Sequence, residues 1–113
     1  MIYNYKHRLP KMEAKEATKT IRQIVRSENL EFYLTRHAKE RLEERGLIIR
    51  DILYVLKYGE VDGVPQDASR GYFKYRMASQ SPNSQRKIAV VVIPDTDALK
   101  IITVMWVGEK SEV

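Results

Sequence analysis

The stretch LTRHAKERLEERGLIIRDILYVLKYG, residues 34–59, decides the fold of this 113-residue chain. Thr35 suits a helix N-cap, because its hydroxyl can accept a hydrogen bond from a free amide of the first turn. Gly46 suits a left-handed C-cap, so a helix is predicted from about residue 35 to Arg45. A second helix is predicted over residues 48–58, with Ile49, Ile52, Leu53 and Leu56 on its buried face.

A further helix is predicted ahead of this stretch, over residues 11–28, after a short aromatic and basic arm. Its apolar residues follow the three-four spacing of one helix face: Ala14, Ala17, Ile21, Ile24 and Val25. Its basic residues fall on the opposite face: Lys11, Lys15, Lys19, Arg22 and Arg26. The helix therefore has an apolar seam and a basic ridge, and the ridge is either a solvated face or a contact for phosphate.

The residues after Gly59 have the periodicity of strands. Residues 60–65 form a short edge strand or loop, and residues 70–78 alternate along a strand. The alternation places Tyr72, Lys74 and Arg76 on one face and Phe73, Tyr75 and Met77 on the other. The unbroken apolar run 88–93 is typical of a strand covered on both faces, and residues 100–107 are its predicted partner.

An α+β fold follows from this order of elements. It has an N-terminal helix, a short strand at 31–34, two helices, and a three- to four-stranded antiparallel sheet with helices on one face. The other sheet face is half exposed or covered by helix 11–28. The chain divides into an arm and helical extension at 1–30, a domain at 31–107 and a disordered tail at 108–113.

Composition favours a polyanionic partner. There are 20 Lys and Arg against 15 Asp and Glu, a formal net charge of +5. An excess of this sign favours nucleic acid, because neutralising phosphates releases condensed counterions. The chain has no cysteine and no apolar run of the roughly 20 residues that a membrane span needs. A cytoplasmic protein with no membrane partner is predicted.

The predicted helix that starts at Thr35 carries the first candidate site. His37 lies in its first turn, where a neutral imidazole could act as a general base. Arg41 lies one turn further on the same face and Arg45 a turn beyond it. A phosphate beside His37 could be held by Arg41, whereas Arg45 either shares that contact or pairs with a nearby glutamate. A capping role and a catalytic role for His37 both remain open.

The strand at 70–78 carries the second candidate site, in which Arg70, Tyr72, Lys74 and Arg76 share one face. Cations interleaved with an aromatic ring are typical of surfaces that hold phosphates and stack on bases. The same residue types also occur on an ordinary solvated sheet face, so the pattern alone leaves both interpretations open.

Metal and cofactor chemistry has no support in the sequence. The two histidines, His7 and His37, are far apart, and there is no cysteine and no HExxH motif. The five glycines stand singly, so no phosphate-binding loop is present, and no cofactor is expected. A metal-free phosphodiester transfer, with a base, an acid and cations on the phosphate, remains chemically open.

Three runs of this sequence resemble a bacterial family called domain of unknown function 4258. They are TRHAKERLEERGLIIRDILYVLKYGEV at 35–61, RGYFKY at 70–75 and KIAVVVIPDTDALKIITVMW at 87–106. That family resembles the RelE/ParE-type and BrnT-type toxins, compact α+β proteins of which several are RNases. The resemblance covers residues 31–107, places His37, Arg41, Arg45 and Arg70 at motif positions, and implies functional roles for Lys74, Tyr75 and Arg76.

Two functions are predicted from these features. The first is a RelE-like toxin-type, metal-independent endoribonuclease with His37, Arg41 and Tyr75 as catalytic residues. It would hold RNA through Arg45, Arg70, Tyr72, Lys74 and Arg76, with RNA or the ribosome and a cognate antitoxin as partners. The second is a non-catalytic nucleic-acid-binding or protein-docking accessory protein of a mobile element, using Lys15, Lys19, Arg22 and Arg26. A homodimer through the apolar seam of helix 11–28 is a further alternative.

Overall fold

The computed structural model describes residues 8–109 and confirms the predicted α+β class. Within this range there are three α-helices: α1 (Ala14–Val25), α2 (Arg36–Glu44) and α3 (Ile49–Tyr58). The strands are β1 (Glu31–Leu34), β2 (Glu60–Val61), β3 (Gln66–Asp67), β4 (Phe73–Gln80), β5 (Lys87–Pro94) and β6 (Ala98–Trp106). A 3-10 turn, Ser69–Gly71, leads into β4.

The strands within residues 8–109 form a mixed sheet of six in the order β1-β6-β5-β4-β2, with β3 paired to β4. The predicted number of strands, three or four, was therefore too low, and the prediction of a purely antiparallel sheet missed one parallel pair. Strand β1 runs parallel to β6, with Glu31 opposite Ala98 and Leu34 opposite Ile101. The alternation of side chains in a four-residue strand does not indicate its partner, so this pairing had no signal in the sequence.

One hydrophobic core lies between the helices and one face of the sheet. The apolar seam of α1 is buried there as predicted, through Ala17, Ile21, Ile24 and Val25. Tyr75 and Met77 of β4 face the same core, together with Ile88, Val90 and Val92 of β5. All three helices therefore pack on one side of the sheet, and α1 does not cover the other side.

The second sheet face, here called the uncovered face, carries the alternate residues of the same strands. Arg76 lies opposite Val91 on β5, so these two side chains share this face with Lys74 and Ile93. Val91 and Ile93 are only half-buried. The prediction that β5 is covered on both faces was therefore wrong for this side, because α1 packs on the same side of the sheet as α2 and α3.

The predicted helix ends are confirmed at two positions. The Thr35 hydroxyl accepts a hydrogen bond from the Ala38 N–H at 3.0 Å, and Gly46 has a φ of +65°. The predicted inner face of α3 is wrong at Ile49, which is 49% exposed, whereas Val55 is fully buried. Asp51 accepts a hydrogen bond from the Ile48 N–H at 2.9 Å, which fixes the start of α3 at the surface.

The end of α3 is held by arginines of α1. Arg22 donates to the Gly59 carbonyl from Nε at 3.0 Å and from Nη2 at 2.7 Å. Arg26 donates to the Lys57 carbonyl at 3.1 Å. Lys57 lies in the last turn of α3 and Gly59 is its C-cap. The carbonyls at a helix C-terminus have no N–H donors within the helix, and cations there interact favourably with the helix dipole. Two of the five cations of the predicted basic ridge, Arg22 and Arg26, therefore join two helices.

Replacing Arg22 by alanine should lower the free energy of unfolding by about 1–2 kcal/mol, because its charged donors satisfy the Gly59 carbonyl. Chemical denaturation measures this change. Lys19→Ala, on the same helix and without a hydrogen bond in residues 8–109, is the control and should shift stability by no more than about 0.5 kcal/mol. Equal losses in the two variants would contradict a joining role for Arg22.

Candidate nucleic-acid interface

His37 is an exposed residue of the first turn of α2. Among residues 8–109 it forms no hydrogen bond or ion pair, so nothing in that part of the chain orients its ring. Arg41, one turn further, forms an ion pair with Glu44 of the same helix. An accessible imidazole and a nearby guanidinium are thus present on α2, but without the fixed geometry of an assembled acid–base site.

Arg45 has a structural role, because its side chain is mostly buried and ion-paired. Its side chain is 12% exposed and its Nε donates to Glu109 at 2.6 Å. The same Glu109 oxygen accepts from the Trp106 N–H at 2.9 Å, and the Trp106 indole donates to the Arg45 carbonyl at 3.1 Å. Residues 108 and 109, which were predicted as part of a disordered tail, are therefore described and Glu109 is hydrogen-bonded. The rest of that predicted tail, residues 110–113, lies outside the described residues. His7 lies outside them as well.

Tyr75 lies in the core and does not reach either surface. It is 2% exposed, and its hydroxyl accepts a hydrogen bond from the Met12 N–H at 2.9 Å. Burial raises the pKa of Tyr75, opposed by the Met12 hydrogen bond and reinforced by the charge of Glu16. Tyr75 therefore anchors the segment before α1, and a catalytic role would need this hydrogen bond to open.

The predicted cluster at 70–76 is split by the start of β4. Lys74 and Arg76 lie on the uncovered face, where Arg76 is ion-paired with Asp62. Tyr72 precedes the strand and donates its hydroxyl to Asp95 at 2.9 Å. Arg70 lies in the 3-10 turn with a φ of +59° and is exposed. These four residues border the uncovered face together, but only two of them belong to the strand.

The two candidate sites are on opposite sides of the sheet. His37 and Arg41 belong to α2, which packs through Ala38 and Leu42 on the helix side. Arg70 lines a concavity on the uncovered face with Tyr33 and Lys100. The structure therefore does not bring His37, Arg41 and Arg70 around one phosphate.

The basic ridge of α1 borders an open groove of about 660 Å³, here called the α1 groove. Its charged lining residues are four cations and one carboxylate: Lys15, Lys19, Arg22, Arg26 and Glu60. Lys15 and Lys19 are exposed and form no ion pair within residues 8–109. The edge strand β2 closes the groove, since the Val61 N–H donates to the Thr18 hydroxyl at 2.8 Å. This groove has a larger cationic excess than the concavity on the uncovered face, which is lined by two cations and two carboxylates.

The concavity on the uncovered face contains residues that the sequence analysis missed. Besides Arg70 and Tyr72 it is lined by Glu31, Tyr33, Asp95 and Lys100. Tyr33 and Lys100 are cross-strand neighbours of the parallel pair β1–β6. Their proximity depends on a strand pairing that has no local sequence signal. Only the alternation in residues 31–34, which separates Tyr33 from Phe32 and Leu34, indicated that Tyr33 could face away from the core.

Within residues 8–109 no group of three or more histidine, aspartate or glutamate side chains is placed to hold a metal ion. None of the helices in that range is both long and apolar enough to cross a membrane.

The fold and surfaces define a basic α+β protein with one covered and one uncovered sheet face. Comparison with protein families identifies it further: residues 34–106 match the family described as "Domain of unknown function (DUF4258)", and the chain belongs to that family. The matched region runs from the end of β1 to the end of β6 and leaves out α1. Searches of curated proteins and of solved structures found no match.

Replacing Tyr75 by phenylalanine should destabilise the protein by about 1–3 kcal/mol at neutral pH, because the buried Met12 N–H loses its acceptor. Since the folded state raises the pKa of Tyr75 above its usual value of 10.0, the unfolded chain loses this proton first. The stability of the native sequence should therefore fall as pH rises above 10, and the variant should lack that component.

Unfolding curves from pH 7 to 11 measure this difference. Tyr58→Phe is the control, because Tyr58 is 58% exposed and its hydroxyl is not part of the core. The same alkaline loss of stability in the native sequence and in Tyr75→Phe would contradict the assignment.

Proposed function

We propose that this protein binds RNA and that the α1 groove supplies its phosphate contacts. The observation that carries the proposal is the composition of the groove, in which four cations from one helix face oppose a single carboxylate, Glu60 of β2. A row of cations of this kind attracts a polyanion through counterion release and needs no catalytic group. RNA is the nucleic acid favoured by the resemblance to toxin-type proteins, several of which are RNases.

The hydrogen bonds of Arg22 and Arg26 support this role. Both guanidinium groups stay charged while their donors contact carbonyls of α3, so they give the groove a positive potential at fixed positions. Lys15 and Lys19, one turn apart, extend from the same side of the helix and are free to contact phosphates. We therefore assign direct contacts to the two lysines and a supporting potential to the two arginines.

A toxin-type role would add a cytoplasmic location, a cognate antitoxin and ribosomal or messenger RNA as the polyanion. A homodimer through the apolar seam of α1 receives no support, because Ala17 and Ile21 are fully buried in the chain's own core. The alternative, a non-catalytic accessory protein of a mobile element, would use the same α1 groove. It differs from the toxin-type role in having no catalytic activity and no antitoxin partner.

Charge reversal of Lys15 and Lys19 together, to Lys15→Glu/Lys19→Glu, should weaken RNA binding by at least about tenfold at moderate salt. Because about 0.7 units of salt slope come from each single-strand phosphate contact, the slope of log K against log salt should become shallower by roughly 1–2 units. Fluorescence anisotropy with a labelled single-stranded RNA measures both quantities.

The matched control is Lys39→Glu/Lys87→Glu, two exposed lysines on α2 and β5 that give the same change in net charge. This control should bind nearly as well as the native protein. If both double variants lose the same affinity, binding depends on net charge alone and the α1 groove is not the interface.

RNA cleavage is a second candidate function, favoured by the accessible His37 with Arg41 one turn away on α2. If His37 is the general base, His37→Ala should slow cleavage by about 100-fold or more, since positioned acid–base groups contribute on that scale. Cleavage of the same RNA in EDTA, followed on a gel, is the measurement. Lys39→Ala on the same helix is the control, and cleavage that persists in His37→Ala would remove His37 from the reaction.

A further inference from the structure

The concavity on the uncovered face is lined by two tyrosines, Tyr33 and Tyr72, whose hydroxyls are each held by a hydrogen bond. It has a volume of about 910 Å³ and lies where β1, β6 and β5 run side by side. A row of three side chains crosses these strands, since Tyr33 lies opposite Lys100 and Lys100 lies opposite Ile93. The volume falls within the range of roughly 300–1,000 Å³ that holds small ligands.

We propose that this concavity binds one nucleotide, with the base against Tyr33 and the phosphate at Arg70 and Lys100. The site lies on the opposite side of the sheet from the helix layer that contains the α1 groove. It therefore goes beyond the proposed RNA binding by α1 and does not depend on it.

The base position rests on two tyrosines that are tethered by carboxylates. Tyr33 is 53% exposed, and its hydroxyl donates to Glu31 at 2.6 Å. Tyr72 donates to Asp95 at 2.9 Å, and Asp95 is itself fixed by the Thr96 N–H at 2.8 Å. A large exposed ring held by its hydroxyl is preorganised for stacking, which loses less entropy than ordering a mobile one.

The phosphate position rests on the turn before β4. Among the non-glycine residues from 8 to 109, Arg70 alone has a positive φ, and strain of this kind is concentrated at functional sites. The next residue, Gly71, has a φ of +80°, and a Cβ placed there would lie 2.7 Å from Nε of Arg8. The Arg8 side chain thus packs against Gly71, which leaves no room for a side chain at this position of the turn.

The lining charges favour a nucleotide over a free anion. Two carboxylates, Glu31 and Asp95, face the cavity along with Arg70 and Lys100. They would oppose a bare phosphate, but can accept hydrogen bonds from the amino and imino groups of a base. Ile93 and Ala98 provide an apolar surface beneath the ring. A peptide segment is the competing occupant, but a peptide ligand would not account for two cations placed beside two aromatic rings.

Titration of the full chain with the four nucleoside 5′-monophosphates and with short 5′-phosphorylated oligoribonucleotides tests the proposal, read by NMR or calorimetry. Tyr33→Ala should weaken binding by at least about fivefold, as expected when one stacked ring is removed. Tyr33→Phe keeps the ring but removes the hydroxyl that holds it, so it should lose less affinity than Tyr33→Ala. Tyr58→Ala, an equally exposed tyrosine on α3, is the control and should bind like the native protein.

Arg70→Ala should weaken the binding of nucleotides but not of nucleosides, because it removes a phosphate contact. Lys15→Glu/Lys19→Glu should leave mononucleotide binding unchanged, which separates this site from the α1 groove. Absence of nucleotide binding at millimolar concentration, or equal losses in Tyr33→Ala and Tyr58→Ala, would overturn the proposal. Retained binding by Arg70→Ala would overturn the assigned phosphate position, and thermal melting confirms that each variant is folded.

Discussion

The arrangement of this protein depends on the close backbone approach of the end of α3 to β4 at Gly59. A Cβ on this residue would lie 2.5 Å from the Val55 carbonyl oxygen and 2.7 Å from that of Ala78, so no side chain fits between α3 and β4. The same residue presents its carbonyl to Arg22 of α1. Because α3 sits this close to the sheet, α1 can pack beside it on the same layer. The sheet is thereby left with one face that no described helix covers.

The cations of the α1 ridge are of two kinds: arginines bound to carbonyls at the end of α3, and exposed lysines. Arg22 and Arg26 are bound to carbonyls of α3, which makes them part of the fold as well as part of the potential. Lys15 and Lys19 contribute charge without a structural bond in residues 8–109. A substitution at an arginine therefore mixes stability with binding, whereas the lysines report on binding alone.

Local periodicity was enough to predict the three helices and the three long strands, but not which side of every strand is buried. Thr35 and Gly46 could be assigned as caps because each acts within its own turn. The functional residues were harder, since their environments come from distant parts of the chain. Arg45 pairs with Glu109, and Tyr75 binds the Met12 amide. The alternation of β4 separated Tyr75 from Lys74 correctly, but did not show that the Tyr75 side was the buried one.

The parallel pairing of β1 with β6 has a consequence for the order of folding. Glu31 of β1 lies opposite Ala98 of β6. The first described strand in the sequence therefore pairs with the last, and cannot do so until β6 has been synthesised. During synthesis, β1 and Tyr33 would remain without their partner until residues 98–106 have left the ribosome. The concavity on the uncovered face is then completed at the final step of assembly, after the antiparallel strands β4 and β5 can already have paired. A chain released too early would lack this surface while still holding much of its secondary structure.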